Sequence, residues 1–261
     1  MFSISLKLGY KYLRSNKGGL FSFTTVLAII GLMIGIASLI VVTSVMNGFE
    51  KELENRILGV IPHSVIYADT PIDNYEQIIE EIKYDNQIID ASPYINIQGL
   101  ISSSYKSMGI NLIGIDPLNE SNMSIIPEYM LEGNITDLKE DNSIILGSLL
   151  AANIGAYIGD EINITTSDIR TSIIGSFPIS INLKVVGIYE LKTEIDQSLT
   201  LVSHKTTQKL KNITNNQTLS IRLKTNNLFD ADEISQNLIN NLDNKNFYFS
   251  SWKSSHGTLF E

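Results

Sequence analysis

The chain has 261 residues, 43% of them apolar and 8% aromatic, which is ordinary for a folded protein and excludes wholesale disorder. It has no cysteine, so disulfides, thiolate metal sites and cysteine nucleophiles are excluded as well. The net charge is −9, but Lys7, Lys11, Arg14 and Lys17 give residues 1–17 a charge of +4, leaving −13 on residues 18–261; so acidic a bulk argues against nucleic acid as a partner.

Gly18 to Phe49 carries no charged side chain. The core of this stretch, residues 23–47, makes about 37 Å of helix, enough to cross a hydrocarbon layer of ~30 Å. Its Ile, Leu, Val and Phe side chains outweigh the scattered Thr and Ser in transfer free energy. A cleaved signal peptide has an apolar region of only ~7–15 residues and ends in an Ala-x-Ala-like site, and neither holds here. The sequence therefore predicts a retained transmembrane helix, preceded by a cytoplasmic interfacial segment over 1–22 in which Phe2, Leu6 and Leu13 fall near one face. Four basic residues before the span, against Lys51 and Arg56 among three acids after it, put the N-terminus in the cytoplasm and residues 48–261 outside. Gly31 and Gly35 form a small-xxx-small pattern, expected to let another helix pack closely.

Phe49, Leu53 and Ile57 carry the helical period past the membrane, and Gly59 and Pro62 end it. Strands are expected at 63–68, 88–97, 104–115, 143–146, 160–165, 183–189, 200–202, 218–224 and 246–251, with helices at 75–84, 148–156 and 230–242. The fold class is α+β, a mixed α/β external domain behind one N-terminal transmembrane helix. Similar β–α–β pieces at 63–97 and 218–251 suggest two lobes: an outer one of 48–100 and 216–255, and an inserted one of 101–215.

Motifs for enzymatic chemistry are missing. There is no Gly-x-x-x-x-Gly-Lys-Ser/Thr phosphate loop and no Gly-x-Ser-x-Gly elbow. His63, His204 and His256 are scattered, so no metal site is expected. The pairs Glu80–Glu81 and Glu140–Asp141 read as solvated faces.

One stretch is specific. Ser44-Val-Met-Asn-Gly-Phe-Glu-Lys-Glu-Leu-Glu-Asn-Arg-Ile-Leu-Gly-Val-Ile-Pro-His63 closely resembles the segment after the first membrane helix in the lipoprotein-releasing ABC permeases, the LolC/LolE family. Weaker pieces extend the resemblance from Leu8 to Trp252: Leu8-Gly-Tyr-Lys-Tyr-Leu-Arg14, Ile145-Leu-Gly147, Leu150-Ala151, Gly159-Asp160, Val186-Gly187 and Ser251-Trp252.

The resemblance implies an inner-membrane transport subunit and no enzyme. Two permease subunits, identical or sister chains, would work with a dimer of cytoplasmic ABC ATPases. That partner would bind the ATP, since this chain itself is expected to hold no cofactor. Together they would extract a lipoprotein from the bacterial inner membrane and pass it to a periplasmic chaperone for outer-membrane targeting. Pulling acyl chains from lipid costs about 0.8 kcal/mol per CH₂, so an energy source and an apolar host are both needed. The family's lipid-contacting positions fall on Val42, Val45 and Met46. Its chaperone-binding hairpin hook falls on 166–178, where Ile173, Ile174, Gly175, Phe177 and Pro178 form an apolar tip. The polar and basic residues that follow the hook in the family are replaced here by Ile179, Ser180 and Ile181. Beyond Glu261 the family would continue into further spans. The competing readings are a related permease of macrolide-efflux or cell-division type and a single-span sensor or binding protein.

Overall fold

Helix α1 runs over Phe23–Leu58, and residues 25–49 within it have a mean hydropathy of 2.8 with no position buried. An apolar helix left uncovered on every side is stable only where lipid or other helices replace water. Inside it, the Thr43 hydroxyl donates to the Leu39 and Ile40 carbonyls at 2.9 and 3.1 Å, so its polarity is satisfied within the helix. These features come from a computed structural model, which describes residues 4, 7, 11, 23–103, 106–139, 142–172, 175–242 and 247–256. Most of the expected interfacial segment 1–22 lies outside those residues, as do Glu140–Asp141. The chain divides into two units, Met1–Leu53 and Glu54–Glu261.

The second unit begins with the last turn of α1. There Arg56 donates to the Leu191 carbonyl at 2.9 Å and lies over the Tyr129 ring. Gly59 ends the helix where a Cβ would meet the Asn55 carbonyl oxygen and the Ile125 side chain, each at 2.8 Å. The chain then makes β1 (Ser64–Asp73), α2 (Tyr75–Lys83), β2 (Ile88–Ser102) and β3 (Ser107–Ile115). A helical turn α3 (Glu120–Met123), β4 (Met130–Glu132), β5 (Ser143–Gly147), α4 (Ser148–Ile154), β6 (Glu161–Ser172) and β7 (Gly175–Tyr189) follow. Last come β8 (Leu199–Ser203), α5 (His204–Lys211), β9 (Gln217–Thr225), α6 (Ala231–Asn241), β10 (Phe247–Ser251) and α7 (Trp252–His256).

The strands join in the order β10-β1-β9-β2-β3-β8-β5-β7-β4, with β6 pairing β2 and β7. The two expected β–α–β pieces interleave, since β9 lies between β1 and β2 and is antiparallel to both. Ile66, Ile79, Ile82, Ile221, Ile234 and Leu238 of these strands and of α2 and α6 form one core cluster. Strand β2 serves two neighbourhoods. Its first part, Ile88–Tyr94, pairs β9, and its second, from Ile95 on, pairs β3 and then β6. A second core gathers Ile97, Ile101, Ile144, Leu150, Ile164, Leu183 and Val202.

Helix α5 is absent from the sequence reading, and the structure shows why. Its sequence His-Lys-Thr-Thr-Gln-Lys-Leu-Lys has one strongly apolar residue, Leu210, yet Thr206, Thr207 and Gln208 are buried beside it. Their polar groups are satisfied: Thr207 donates to the His204 carbonyl, and Gln208 donates to the Asn215 and Gln217 carbonyls. Ser203 caps the helix by accepting from the Thr206 amide. Burial paid through side-chain hydrogen bonds leaves no hydrophobic period to read.

A buried ion pair ties the α3 segment to β9. Arg222 and Glu120 are 3% and 0% exposed, and Arg222 Nη1 reaches Glu120 Oε1 at 3.2 Å while Ser124 donates to the same oxygen.

Candidate functional site

Three features stand out: one face of α1, the β6–β7 hairpin, and a groove beside α2.

On α1 the two sets of residues singled out from sequence prove to be one. At 100° per residue, Gly31, Gly35, Val42, Val45 and Met46 fall within a sector of about 100°. Val42, Val45 and Met46 are all exposed, and a Cβ added at Gly31 or Gly35 would meet nothing within 4 Å. The face therefore offers a shallow small-residue groove at one end and a broad apolar surface toward the other.

The hairpin is longer than expected and has two halves. At its root Glu161–Thr165 pairs Lys184–Ser180, and Asn163–Thr166 also pairs Ser102–Gly99 of β2. Ile162, Ile164 and Leu183 are buried there. Gly99 is required at this junction, because a Cβ on it would come within 2.7 Å of the Thr165 carbonyl oxygen. Beyond Thr166 the β2 pairing stops and the register shifts, so that Thr166, Ser167 and Asp168 stand against Ile179 alone. Pairing resumes at Ile169–Pro178 and closes at Ser172–Gly175. Gly175 has φ +135°, a conformation that favours glycine. In this outer arm Ile169 is 66% and Phe177 52% exposed, and Pro178 is exposed too. Ile173 and Ile174, the other tip residues named from sequence, lie outside the described residues.

Ile179, Ser180 and Ile181, which depart from the family pattern, sit in the root. Ile179 and Ile181 pack against the second core, and Ser180 donates to Asn163 Oδ1 at 2.8 Å. Their side chains serve the domain's own packing. One ion pair meets the bulge: Lys211 Nζ, at the end of α5, lies 2.6 Å from Asp168 Oδ2.

The groove was not foreseen. It has a volume of about 750 Å³ and is lined by Tyr75, Ile79, Pro93, Ile115, Leu118 and His204 among others. The His204 ring meets Tyr75 edge-on at 5.5 Å. Burial, and secondarily Arg222, lower the His204 pKa to about 4 against an opposing contact with the Gln217 backbone, so the ring is neutral at neutral pH. Nothing at the level of sequence motif marks this groove, because its walls come from segments far apart in the chain. Among the described residues no group of His, Asp or Glu side chains converges where a metal ion could be held.

The family model described as MacB-like periplasmic core domain matches residues 25–240. The chain belongs to that family. This MacB-like chain is also 30% identical over 265 residues to "Lipoprotein-releasing system transmembrane protein LolC" of Neisseria meningitidis serogroup B, covering 100% of this chain and 64% of that protein. It is 25% identical over 259 residues to the corresponding LolE protein of Haemophilus influenzae, covering 97% of this chain and 62% of the relative. The LolC/LolE resemblance read from the sequence is thereby borne out. The chain spans less than two thirds of the length of these curated relatives. Among solved structures, the periplasmic region of MacB from Actinobacillus actinomycetemcomitans aligns with 81% of this MacB-like chain and 98% of its own, at 15% identity and a TM-score of 0.48.

Proposed function

We infer that this chain is a membrane subunit of an ABC transporter that releases lipoproteins from the bacterial inner membrane and hands them to a periplasmic chaperone. The observation that carries the reading is the end-to-end likeness to a lipoprotein-releasing transmembrane protein, over the whole of this chain. Helix α1 spans the membrane with its N-terminus in the cytoplasm, consistent with the basic residues that precede it. Residues 48–261 form the periplasmic domain, read as an outer lobe around the core of α2 and α6 and an inserted lobe around the core of β5–β8. The two faces of β2 pairing support that division.

The α1 face and the hairpin then have roles. Val42, Val45 and Met46 contact the acyl chains of the lipoprotein, while Gly31 and Gly35 on the same face admit a neighbouring helix. Any one site on that face holds lipid or helix at a given moment, so closing the helices would displace the lipid. The chain does no chemistry of its own. ATP is hydrolysed by a pair of cytoplasmic ATPases, and the free energy reaches this chain through the membrane helices it shares with a second permease subunit.

The outer hairpin arm, with Phe177 and Pro178 exposed, docks the chaperone. A photo-crosslinker placed on the arm tests this in membranes that contain the whole transporter. Phe177→Asp is expected to abolish crosslinking to the chaperone and to leave lipoproteins in the inner membrane; undiminished crosslinking would sink the docking role.

A further inference from the structure

The docking arm leaves the sheet at one point, and the structure places a charged contact there. Up to Thr166, β6 is held on both sides, by β2 and by β7. Beyond it, among the described residues, only β7 is paired with β6, so a two-stranded ribbon extends from a ten-stranded sheet. Two-stranded ribbons twist and swing readily, because no third strand fixes their plane. Three residues facing one at the bulge add a further degree of bending. The backbone alone therefore does not set the direction of the arm.

The side chains supply a constraint. Asp168 stands in the bulge, and its carboxylate takes Lys211 of α5 at 2.6 Å. Both side chains are partly shielded, at 35% and 24% exposure, which strengthens the attraction relative to a fully solvated pair. Helix α5 is itself fixed, by the buried Thr206, Thr207, Gln208 and Leu210. Lys211 is thus a charge on a rigid mount reaching the flexible base of the arm. On the arm itself the pair neutralises Asp168, which leaves Arg170, exposed and two residues further out, as the uncompensated charge among the described residues.

We propose that Lys211 and Asp168 are positioning residues: their ion pair fixes the direction in which the β6–β7 arm leaves the sheet and so presents Phe177 and Pro178 to the partner. This rests on the docking role proposed above. It adds a residue outside the arm, on α5, that controls docking.

The test uses the full chain in its transporter, with two readouts. One is the spread of distances between spin labels at Ser176 on the arm and Lys205 on α5. The other is chaperone crosslinking from the arm. Lys211→Met and Asp168→Asn are each expected to broaden the distance distribution and to lower the crosslinking yield by roughly five-fold, the size of effect an ion pair of this kind exerts on a two-state equilibrium. The exchanged pair, Asp168→Lys with Lys211→Asp, is expected to narrow the distribution again and to restore most of the yield. Unchanged distances in the single variants, or an exchanged pair no narrower than they are, would overturn the positioning role. If Phe177→Asp crosslinks normally while the distances still respond to Lys211→Met, the docking reading fails and the positioning of the arm stands.

Discussion

The two halves of the β6–β7 hairpin are paired in the same antiparallel way and lie in opposite environments. In the root, Ile162, Ile164 and Leu183 are buried; in the arm, Ile169 and Phe177 are more than half exposed. The root alternates apolar and polar residues, the arm sets Ile169 and Phe177 among polar ones, and both halves are paired in antiparallel register. The difference is the third partner. The root has β2 beside it and a core beneath, and among the described residues the arm has neither. Apolar side chains therefore act in two ways along one ribbon: they stabilise the base, and in the arm they form the uncovered surface proposed above to dock the chaperone.

Substitutions in the root should break this division most severely. Leu183→Ala removes a fully buried side chain and is expected to cost about 3 kcal/mol of unfolding free energy, measured by denaturant titration of the folded external domain within the full chain. Gly99→Val attacks the junction itself. Its Cβ would press on the Thr165 carbonyl oxygen, so a loss of about 2 kcal/mol is expected, with faster hydrogen exchange at the β2–β6 amides.

Acid sharpens the comparison from another side. His63 and His204 both have folded-state pKa values lowered to about 4, burial being the largest cause in each, while the arm holds no histidine. An unfolded chain binds these protons near pH 6.5 and the folded one does not, so stability is fully present above about 6.5 and falls as pH drops toward 4. His63 also accepts the Thr225 amide at 3.1 Å through Nδ1, an acceptor lost on protonation. Unfolding free energy is expected to fall steadily between pH 7 and 4.5, and replacing His204 by glutamine should flatten the profile; a flat wild-type profile would contradict the assignment. The smallest effect on stability belongs to the arm: Phe177→Asp should change unfolding free energy by less than about 0.5 kcal/mol, so that its loss of crosslinking reports docking alone.

Much of this was legible from residues in order. The charge-free run from Gly18 to Phe49 implies the helix, and Gly59 with Pro62 implies its end, because length, polarity and breakers act locally. The strands expected at 143–146 and 218–224, observed over Ser143–Gly147 and Gln217–Thr225, were legible in the same way from apolar and β-branched residues. Other features had no local sign. Helix α5 buries polar side chains whose partners lie in the Asn215–Gln217 turn and in its own first residue. The groove is assembled from α2, the β3 end and α5. Lys211 and Asp168 are ordinary charges in sequence and meet only because α5 packs beside the bulge.

The sequence by itself determined a membrane-crossing apolar helix, an acidic α+β domain behind it, and the resemblance that names its relatives. Those properties depend on composition and on spacing within a turn or a strand. Only the tertiary structure decided where the hairpin stops being core and becomes an arm. That boundary is set by the end of β2 pairing at Gly99, and no local pattern encodes a neighbour that arrives from elsewhere in the chain.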